Sequence, residues 1–200
     1  MSSEPTVFVV DDDESIRDSL SMLLPLKGLR VRTFASADEF LQAYRPIWRG
    51  CLLTDLEMPG MTGLDLQGVL FERDLTLSVV MLTAHGDVAT TRSALKNGAV
   101  DFLEKPVDEG VLIETLKNAI RIDQARFEER LQREDIAQRV ARLTPRECDV
   151  LKLLAEGLQH REIGERLAIS ARTVEVHKAR VMEKLECRTL AQLVKIGASV

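Results

Sequence analysis

The sequence predicts an α/β protein in which a doubly wound, five-stranded parallel sheet is followed by a second, smaller all-α domain. Three observations support this prediction. Short apolar segments alternate with helix-periodic segments over the first 110 residues, which is the pattern of strands and crossover helices. Residues 111–144 contain neither Gly nor Pro, as expected of one long helix. The remaining residues carry repeated helix-start signals and no strand pattern.

The strands are predicted where apolar and β-branched residues form short runs bounded by turn residues. They are Thr6–Val10, Arg30–Phe34, Cys51–Thr54, Ser78–Leu82 and Val100–Leu103. The helices between them are expected near Ser15–Leu24, Ala37–Tyr44, Gly63–Glu72 and Ala89–Asn97. Ser36 followed by Glu39 has the spacing of a capping box and supports the second of these helices.

The stretch from Val111 to Thr144 is predicted to continue from the α/β domain into a charged helical linker. Apolar residues recur in it at helical spacings, at Leu112, Leu116, Ile120, Phe127 and Leu131. If the helix is continuous, these residues span about 50 Å at 1.5 Å per residue. We therefore expect an α/β domain over residues 1–120, a helical linker over residues 121–142 and a helical domain over residues 143–200.

Four helices are predicted in the last domain. Thr144 and Glu147 form a capping box with Pro145 at the first helical position. The other expected boundaries are Gly157 as the end of the first helix, Arg161–Leu167, a third helix from the Ser170 cap to about Leu185, and a fourth from the Thr189 cap. The second and third helices have the dimensions of a helix-turn-helix.

The third helix of this domain is expected to have two different faces. The apolar face and the residues it packs against are Val174, Val181 and Leu185 with Ile163, Leu167 and Ile169. The opposite face is Arg172, Glu175, Val176, Ala179, Arg180 and Glu183. This helix is the second helix of the helix-turn-helix, which enters the major groove of DNA. The free N–H groups of its first turn favour binding of a phosphate.

The net charge of −5 is unevenly distributed along the chain. Residues 1–120 carry −8, residues 121–142 carry +1 and residues 143–200 carry +2. Different partners are therefore expected for the two ends. No apolar run reaches the length of a membrane span, and no secretory signal is visible. Three scattered cysteines are typical of reduced thiols, and we expect a cytoplasmic protein without membrane contact.

Carboxylates follow two of the predicted strands. Asp11, Asp12 and Asp13 come after the first strand, and Asp55 comes after the third. Ligand sites of open α/β sheets lie at the carboxyl ends of the strands, so these acids should share one pocket. Clustered carboxylates require a hard cation such as Mg²⁺. The pattern indicates metal-assisted phosphoryl transfer with a carboxylate nucleophile.

Two further strand ends contribute groups suited to phosphate. Thr83 follows the fourth strand and offers a hydroxyl donor. Lys105 follows the fifth strand and offers a positive charge. The Lys105–Pro106 bond is a candidate cis peptide. A single motif of this kind is often accidental, but ordered groups at successive strand ends are not.

These motifs resemble the receiver domain of two-component response regulators, which has a flavodoxin-like fold. The resemblance implies that Asp55 is the phosphoacceptor and that Asp11, Asp12, Asp55 and the backbone carbonyl of Glu57 bind Mg²⁺. It further implies that Thr83 is the switch hydroxyl, Lys105 the phosphate-binding lysine and Phe102 the switch aromatic. Phe102 stands where the family more often has Tyr.

The last domain resembles the LuxR-type helix-turn-helix, from Leu143-Thr144-Pro145-Arg146-Glu147 to Lys184-Leu185. With the receiver in front, the chain resembles the NarL/FixJ family and, through His85–Val88 and Gly98–Phe102, its FixJ-like branch. His160 stands at a position where this family often has Asn or Lys. The DNA-contacting residues that the motif implies are Arg172, Thr173, Glu175, Val176, His177, Lys178 and Arg180. Lys178 and Arg180 are the expected phosphate contacts, whereas His177 also fits a packing role.

The resemblance implies a chain of events from kinase to promoter. A sensor histidine kinase phosphorylates Asp55, and the altered surface then forms a homodimer through Arg92, Lys96 and Asp101. The dimer binds double-stranded promoter DNA and acts with RNA polymerase, with activation favoured over repression. We expect dimerisation to be the larger effect. Relief of masking of the DNA-binding residues by the acidic receiver is the smaller one.

Two other functions use some of the same residues. An aspartate-nucleophile phosphatase would take Glu57 as its second acid, but it leaves the last domain unexplained. A receiver with an RNA- or protein-binding output remains open and is separable by a duplex footprint. A nucleotide-binding enzyme is disfavoured because the chain has no Gly-rich phosphate loop. Apart from its own phosphotransfer and autodephosphorylation, no enzymatic activity is expected.

Overall fold

The structure is a computed structural model that describes residues 4–73, 75, 77–84 and 99–198. It contains two compact units, Met1–Glu128 and Glu129–Val200. The predicted helix Ala89–Asn97 and the motif His85–Val88 lie outside the described residues. No helix in the described part of the chain is both long and apolar enough to cross a bilayer.

The first unit contains the predicted five-stranded parallel sheet. Its strands are β1 (Thr6–Val10), β2 (Arg30–Phe34), β3 (Gly50–Asp55), β4 (Ser78–Thr83) and β5 (Asp101–Glu104). The strand order is β2-β1-β3-β4-β5, and every neighbouring pair is parallel. The predicted fold class is confirmed. The first two strands have the predicted limits, whereas β3 extends one residue further at both ends, because Gly50 pairs with Thr6 and Asp55 with Leu82.

Four helices of the described chain begin in this unit: α1 (Glu14–Leu26), α2 (Ala37–Ala43), α3 (Gly63–Glu72) and α4 (Glu109–Val140). The predicted capping residue Ser36 accepts a hydrogen bond from the Glu39 N–H. Thr62 caps α3 in a full capping box with Asp65. Because successive strand residues point to opposite faces, the sheet separates two apolar clusters, one containing Phe8 and the other Val9.

Helix α4 differs from its predicted limits of Val111 and Thr144. It begins two residues earlier, at Glu109, where the Asp108 carboxylate accepts a hydrogen bond from the Val111 N–H. It ends four residues earlier, at Val140. The next helix requires an extended residue as its cap, and Thr144 adopts φ −72° and ψ 158°. The chain therefore leaves the helical conformation before reaching Thr144.

The second unit contains α5 (Pro145–Ala155), α6 (His160–Leu167), α7 (Ala171–Lys184) and α8 (Leu190–Gly197). Thr144, Ser170 and Thr189 all accept the predicted capping hydrogen bonds. The left-handed residue Gly157, with φ +85°, follows α5. The core of the unit contains the predicted apolar residues Val174, Val181, Leu185 and Ile163, with Leu167 and Ile169 packed against them.

Candidate functional site

The carboxyl ends of β1, β3, β4 and β5 bring the predicted polar residues to one edge of the sheet. Asp55 is the last residue of β3 and Thr83 the last of β4. Asp11 directly follows β1, and Lys105 directly follows β5. The backbone of Lys105 is fixed to the end of β4, because its N–H donates to the Thr83 carbonyl at 2.7 Å. The Lys105–Pro106 bond is cis, as the sequence suggested.

Lys105 joins the two central carboxylates. Its Nζ lies 2.6 Å from Asp55 Oδ2 and 3.1 Å from Asp11 Oδ2. The Asp11 side chain is 1% exposed and that of Asp55 is 14% exposed. One ammonium therefore offsets part of the charge of two acids that emerge from adjacent strands.

Asp12 completes a cluster of three acids. Carboxylate oxygens of Asp11, Asp12 and Asp55 lie within 4.8 Å of one another. Glu57 is exposed, and its backbone N–H donates to Asp55 Oδ1 at 3.2 Å. Oxygen ligands at this spacing suit a hard cation of the size and preference of Mg²⁺. The chemistry of the donors therefore fits the metal that the sequence predicted.

The pocket shifts the proton affinity of its groups. Burial raises the pKa of Asp11, and hydrogen bonds from the Asp13 N–H and from Lys105 only partly oppose this effect. Burial acts to lower the pKa of Lys105, but hydrogen bonds to Asp55 and Asp11 outweigh it, so the pKa is raised. Lys105 is therefore a firmly charged group.

The two predicted switch residues occupy different environments. Thr83 is fully buried at the end of β4. Phe102 lies in β5 opposite Met81 and is partly buried against the apolar cluster that contains Phe8. Thr83 is thus next to the pocket through its backbone contact with Lys105, whereas Phe102 lies three residues before Lys105 and packs against the apolar cluster.

Arg17 is a contributor that sequence reasoning missed. Its guanidinium donates to the backbone carbonyls of Asp11 at 2.7 Å and of Asp12 at 2.9 Å. Asp13, the third acid after β1, caps α1 by accepting from the Ser15 N–H at 2.8 Å. The sequence offered one signal for Arg17, which is that a cation stands in the first turns of a helix directly after an acidic loop.

Gly63 allows the chain to return to Asp55 after the loop that follows β3. A Cβ atom at this position would lie 2.3 Å from the Asp55 carbonyl oxygen. The Gly63 N–H donates to the Leu56 carbonyl at 3.0 Å, which closes the loop. Only a residue without a side chain fits this approach to the Asp55 backbone.

The second unit holds α6 and α7 in helix-turn-helix form. Ala168 has a left-handed conformation, and the Ile169 N–H donates to the Gly164 carbonyl at 2.9 Å. A Cβ at Gly164 would lie 2.7 Å from the Ile169 carbonyl oxygen. The Ser170 hydroxyl accepts from the Thr173 N–H at 3.0 Å and also contacts the Thr173 hydroxyl at 2.8 Å.

The predicted DNA-contacting residues lie along α7 with different exposures. Arg172, Glu175, Val176 and Arg180 are exposed, whereas Thr173, His177 and Lys178 are partly buried. Within residues 129–198, none of the cations Arg172, Lys178 and Arg180 forms an ion pair. They differ in this respect from Arg161 on α6, which pairs with Glu165 at 3.1 Å.

His177 and Asp101 are less exposed than the outward-facing residues of α7. The Nδ1 atom of His177 is buried and has no hydrogen-bond partner among the described residues, which favours a packing role for this nitrogen. Asp101 is partly buried, and its carboxylate accepts from the Phe102 N–H at 2.8 Å. The other predicted dimer residues, Arg92 and Lys96, lie outside the described residues.

Comparison with known proteins assigns both parts of the chain. Residues 7–117 match the family described as "Response regulator receiver domain". Residues 141–196 match the family described as "Bacterial regulatory proteins, luxR family". The two matches occupy the two compact units in the order that the sequence predicted.

Two similar proteins align with this chain over nearly the whole of their length. The transcriptional regulatory protein FixJ of Azorhizobium caulinodans is 42% identical over 193 residues, which is 96% of this chain and 90% of that protein. The C4-dicarboxylate transport transcriptional regulatory protein DctR of Rhodobacter capsulatus is 40% identical, covering 96% of this chain and 98% of that protein.

A solved structure extends the likeness over the whole chain. The response regulator StyR superposes with a TM-score of 0.86 at 40% identity, covering 99% of this chain and 100% of StyR. The acidic pocket at the sheet edge, the helix-turn-helix and these full-length relatives together place the chain in a family. It belongs to the FixJ-like response regulators of the NarL/FixJ family, transcription regulators in which a receiver precedes a LuxR-type DNA-binding domain.

Proposed function

We propose that a sensor histidine kinase phosphorylates Asp55, and that the phosphorylated chain forms a homodimer on double-stranded promoter DNA. The observation that carries this proposal is the cluster of Asp11, Asp12 and Asp55 around Lys105, in a chain that also contains a LuxR-type helix-turn-helix. Activation through RNA polymerase is the proposed output.

The transfer step begins with a carboxylate oxygen of Asp55 attacking the phosphorus of a phosphohistidine. A new O–P bond forms, the N–P bond breaks, and the electron pair returns to the imidazole of the kinase. Lys105 lies 2.6 Å from Asp55 and is positioned to pair with the arriving phosphoryl oxygens. Autodephosphorylation reverses the modification when water attacks the same phosphorus.

We assign Mg²⁺ as the metal of this pocket. The carboxylates of Asp11, Asp12 and Asp55 and the backbone carbonyl of Glu57 would hold it. When bound, it neutralises charge on the phosphoryl oxygens. Arg17 holds the backbone of the acidic loop through the Asp11 and Asp12 carbonyls, and thereby keeps the two side chains on the pocket.

We propose that Thr83 and Phe102 convert phosphorylation into a change of surface. A phosphoryl group adds up to about two negative charges and new acceptor oxygens. The Thr83 hydroxyl is proposed to donate to one of them, and Phe102 to turn toward the space that Thr83 leaves. Because Phe102 has no hydroxyl, this switch depends on packing alone. Dimerisation is proposed to use Arg92, Lys96 and Asp101.

DNA recognition is proposed for α7. We assign Arg172, Thr173, Glu175, Val176 and His177 to contacts with base edges, and Lys178 and Arg180 to contacts with phosphates. The working division is a receiver over residues 1–120, a linker over 121–142 and a DNA-binding domain over 143–200. A regulator of chromosomal promoters acts in the cytoplasm, where we place it.

The decisive experiment combines phosphorylation with DNA selection. Full-length wild-type protein and Asp55→Asn are incubated with Mg²⁺ and acetyl phosphate, and each is used to select duplexes from a random pool. We expect one acid- and base-labile phosphoryl group and strong enrichment for the wild type only. Labelling of folded Asp55→Asn, or a phosphorylated wild type that selects no duplex, contradicts the proposal.

The phosphatase alternative makes the opposite prediction for small substrates. It requires repeated turnover of a phosphoester, whereas a receiver is labelled once and releases phosphate slowly. The position of Glu57 favours the receiver over the phosphatase. Its backbone N–H donates to Asp55, and the residue is exposed, so no contact among the described residues holds its carboxylate as a second acid beside Asp55. Multiple turnovers of p-nitrophenyl phosphate that require Glu57 would favour the phosphatase.

A further inference from the structure

The first turn of α5 contacts both helices of the helix-turn-helix. Arg146 donates from its guanidinium to the carbonyl of Leu167, the last residue of α6. Its neighbour Glu147 accepts a hydrogen bond at 2.6 Å from Nζ of Lys184, the last residue of α7. Two adjacent residues of α5 therefore hold the end of α6 that leads into the turn and the end of α7 that lies farthest from it.

The contact between Glu147 and Lys184 is largely shielded from water. The Glu147 side chain is 3% exposed, and that of Lys184 is 34% exposed. The Glu147 Oε2 atom also accepts from the Thr144 N–H at 2.8 Å. The Lys184 ammonium also donates to the Arg142 carbonyl at 3.2 Å. Both charged groups are therefore engaged within the protein, as buried charges require.

We propose that Glu147 and Lys184 are positioning residues for DNA recognition, and that Lys184 does not contact a DNA phosphate although it is a cation of the recognition helix. The pair fixes the end of α7 against the start of α5, so that Arg172 and its neighbours reach the groove at the correct angle. This inference rests on the proposed DNA-binding function of α7.

The ionisation of Glu147 agrees with this role. Burial acts to raise its pKa, but hydrogen bonds from Lys184 and Thr144 outweigh burial and lower it. The carboxylate therefore stays charged near neutral pH, where it holds the Lys184 ammonium. Lys178 provides the contrast, because it lies on the same helix and forms no ion pair within residues 129–198.

The matched variants are Lys184→Met and Lys178→Met in the full-length protein. Each removes one positive charge from α7, so their effects on long-range attraction to DNA are equal. The probe is a duplex that the phosphorylated wild type has selected from a random pool, compared with an unrelated duplex. Affinity for both is measured over a range of salt concentrations.

The salt dependence distinguishes a phosphate contact from a positioning role. Loss of one phosphate contact reduces the slope of log affinity against log salt by about one. We expect that reduction for Lys178→Met and no change of slope for Lys184→Met. A fall in the slope for Lys184→Met equal to that for Lys178→Met overturns the proposal.

Selectivity distinguishes positioning from simple loss of folded protein. A smaller folded fraction lowers affinity for the selected and the unrelated duplex by the same factor. A misplaced recognition helix lowers affinity for the selected duplex only. We expect Lys184→Met to lose selectivity and Lys184→Arg to recover part of it, because Arg retains a donor for Glu147. Unchanged selectivity in folded Lys184→Met contradicts the proposal.

Glu147→Gln gives a test of opposite sign. If Lys184 were a phosphate contact restrained by Glu147, removal of the negative charge would increase affinity for DNA. A positioning role predicts weaker binding of the selected duplex, because the neutral amide holds the ammonium less strongly. Tighter binding by Glu147→Gln would therefore sink the inference while leaving DNA binding by the family fold intact.

A footprint on the wild type removes any dependence on how the variants fold. Lysine acetylation is followed by mass spectrometry with and without a saturating amount of the selected duplex. DNA should protect Lys178 and leave the slow modification of Lys184 unchanged. Protection of Lys184 to the same extent as Lys178 refutes the proposal, whereas a wild type that binds no duplex refutes the proposed function instead.

Discussion

Arg49, the residue before β3, and Asp123, in the middle of α4, form a buried ion pair. The Arg49 NH2 atom lies 2.9 Å from Asp123 Oδ2, and the two side chains are 4% and 0% exposed. Arg49 also donates to the Asp123 backbone carbonyl at 2.7 Å, and its guanidinium stacks on Phe127 at 3.8 Å. The Gly50 N–H donates to the same carboxylate at 3.0 Å.

Loss of one member of this pair should destabilise the first unit strongly. Arg49→Met leaves a buried carboxylate without its cation, and Asp123→Leu leaves a buried guanidinium without its anion. Each should cost about 3–5 kcal/mol, and the double variant should cost much less than their sum. Trp48 fluorescence reports the transition, since this single tryptophan stacks on Phe8 in the same unit. Additive losses would contradict a direct interaction.

Gly63 should be far less tolerant of substitution than Gly68, although both lie in α3. A Cβ at Gly63 meets the Asp55 carbonyl, whereas a Cβ at Gly68 has no atom within 4 Å. Gly63→Ala should slow phosphorylation at Asp55 at least several-fold. Gly68→Ala should leave the rate unchanged and add about 0.5–1 kcal/mol of stability. Equal phosphorylation rates in the two variants would refute the role assigned to Gly63.

The second unit should lose stability as the solution becomes acidic because of Glu147. Its folded pKa is lowered from the ordinary value of 4.5, chiefly because hydrogen bonds from Lys184 and Thr144 outweigh burial. The contribution is therefore complete above pH 4.5 and disappears as pH falls through the folded pKa. Thermal unfolding between pH 7 and 3 should show a smaller acid-induced decrease for Glu147→Gln. If the melting temperatures of the wild type and Glu147→Gln fall in parallel with pH, Glu147 is not the cause of the acid-induced loss of stability.

The DNA-binding part should fold alone, and its best start is Glu129 rather than Leu143. Arg139 donates to the Leu185 carbonyl at 3.2 Å, and Val140 packs against the core of the second unit. A fragment of residues 129–200 should exceed a fragment of residues 143–200 in stability by roughly 1–3 kcal/mol, since a charged donor and apolar contacts are lost. Urea unfolding followed by circular dichroism gives the difference. Equal midpoints would mean that residues 129–142 contribute nothing.

Comparison of fragment and full-length protein separates dimerisation from masking. If dimerisation dominates, as we expect, the fragment and the unphosphorylated full-length protein bind the selected duplex about equally weakly, and phosphorylation tightens binding. If masking dominates, the fragment binds more tightly than the full-length protein. Both affinities must be measured at one ionic strength, because DNA binding falls steeply with salt. Full site occupancy by monomeric phosphorylated protein would disprove dimerisation.

The sheet and its acidic edge could be predicted because their signals are local. Buried parallel strands give continuous apolar runs, and parallel topology brings the residues after them to one edge. Asp11, Asp55 and Lys105 are therefore found together without knowledge of any distance. Capping residues such as Thr144 are equally local, which is why the starts of α5, α7 and α8 agree with the sequence, whereas α6 begins one residue before the predicted Arg161.

Contacts between distant residues could not be predicted in this way. Arg49 and Asp123 are 74 positions apart, and each alone has the appearance of an ordinary surface charge. Glu147 was identified as a capping residue, but its partner Lys184 depends on how α5 and α7 pack. Pattern reasoning gives the face of a helix and not its neighbour, so residues that hold elements together remain hidden until the fold is known.

Two residues of the second unit occupy the left-handed region without being glycine. Ala168, in the turn before α7, and Glu186, two residues after the last residue of α7, both have φ of 54°. This conformation costs an L-residue about 1–2 kcal/mol, part of which glycine would recover. The two residues that flank the recognition helix therefore make the second unit less stable to heat than glycine would at the same positions. Ala168→Gly could therefore raise the thermal stability of the regulator while leaving every DNA-facing side chain in place, whereas Glu186→Gly would also remove the ion pair with Arg139 at 3.2 Å.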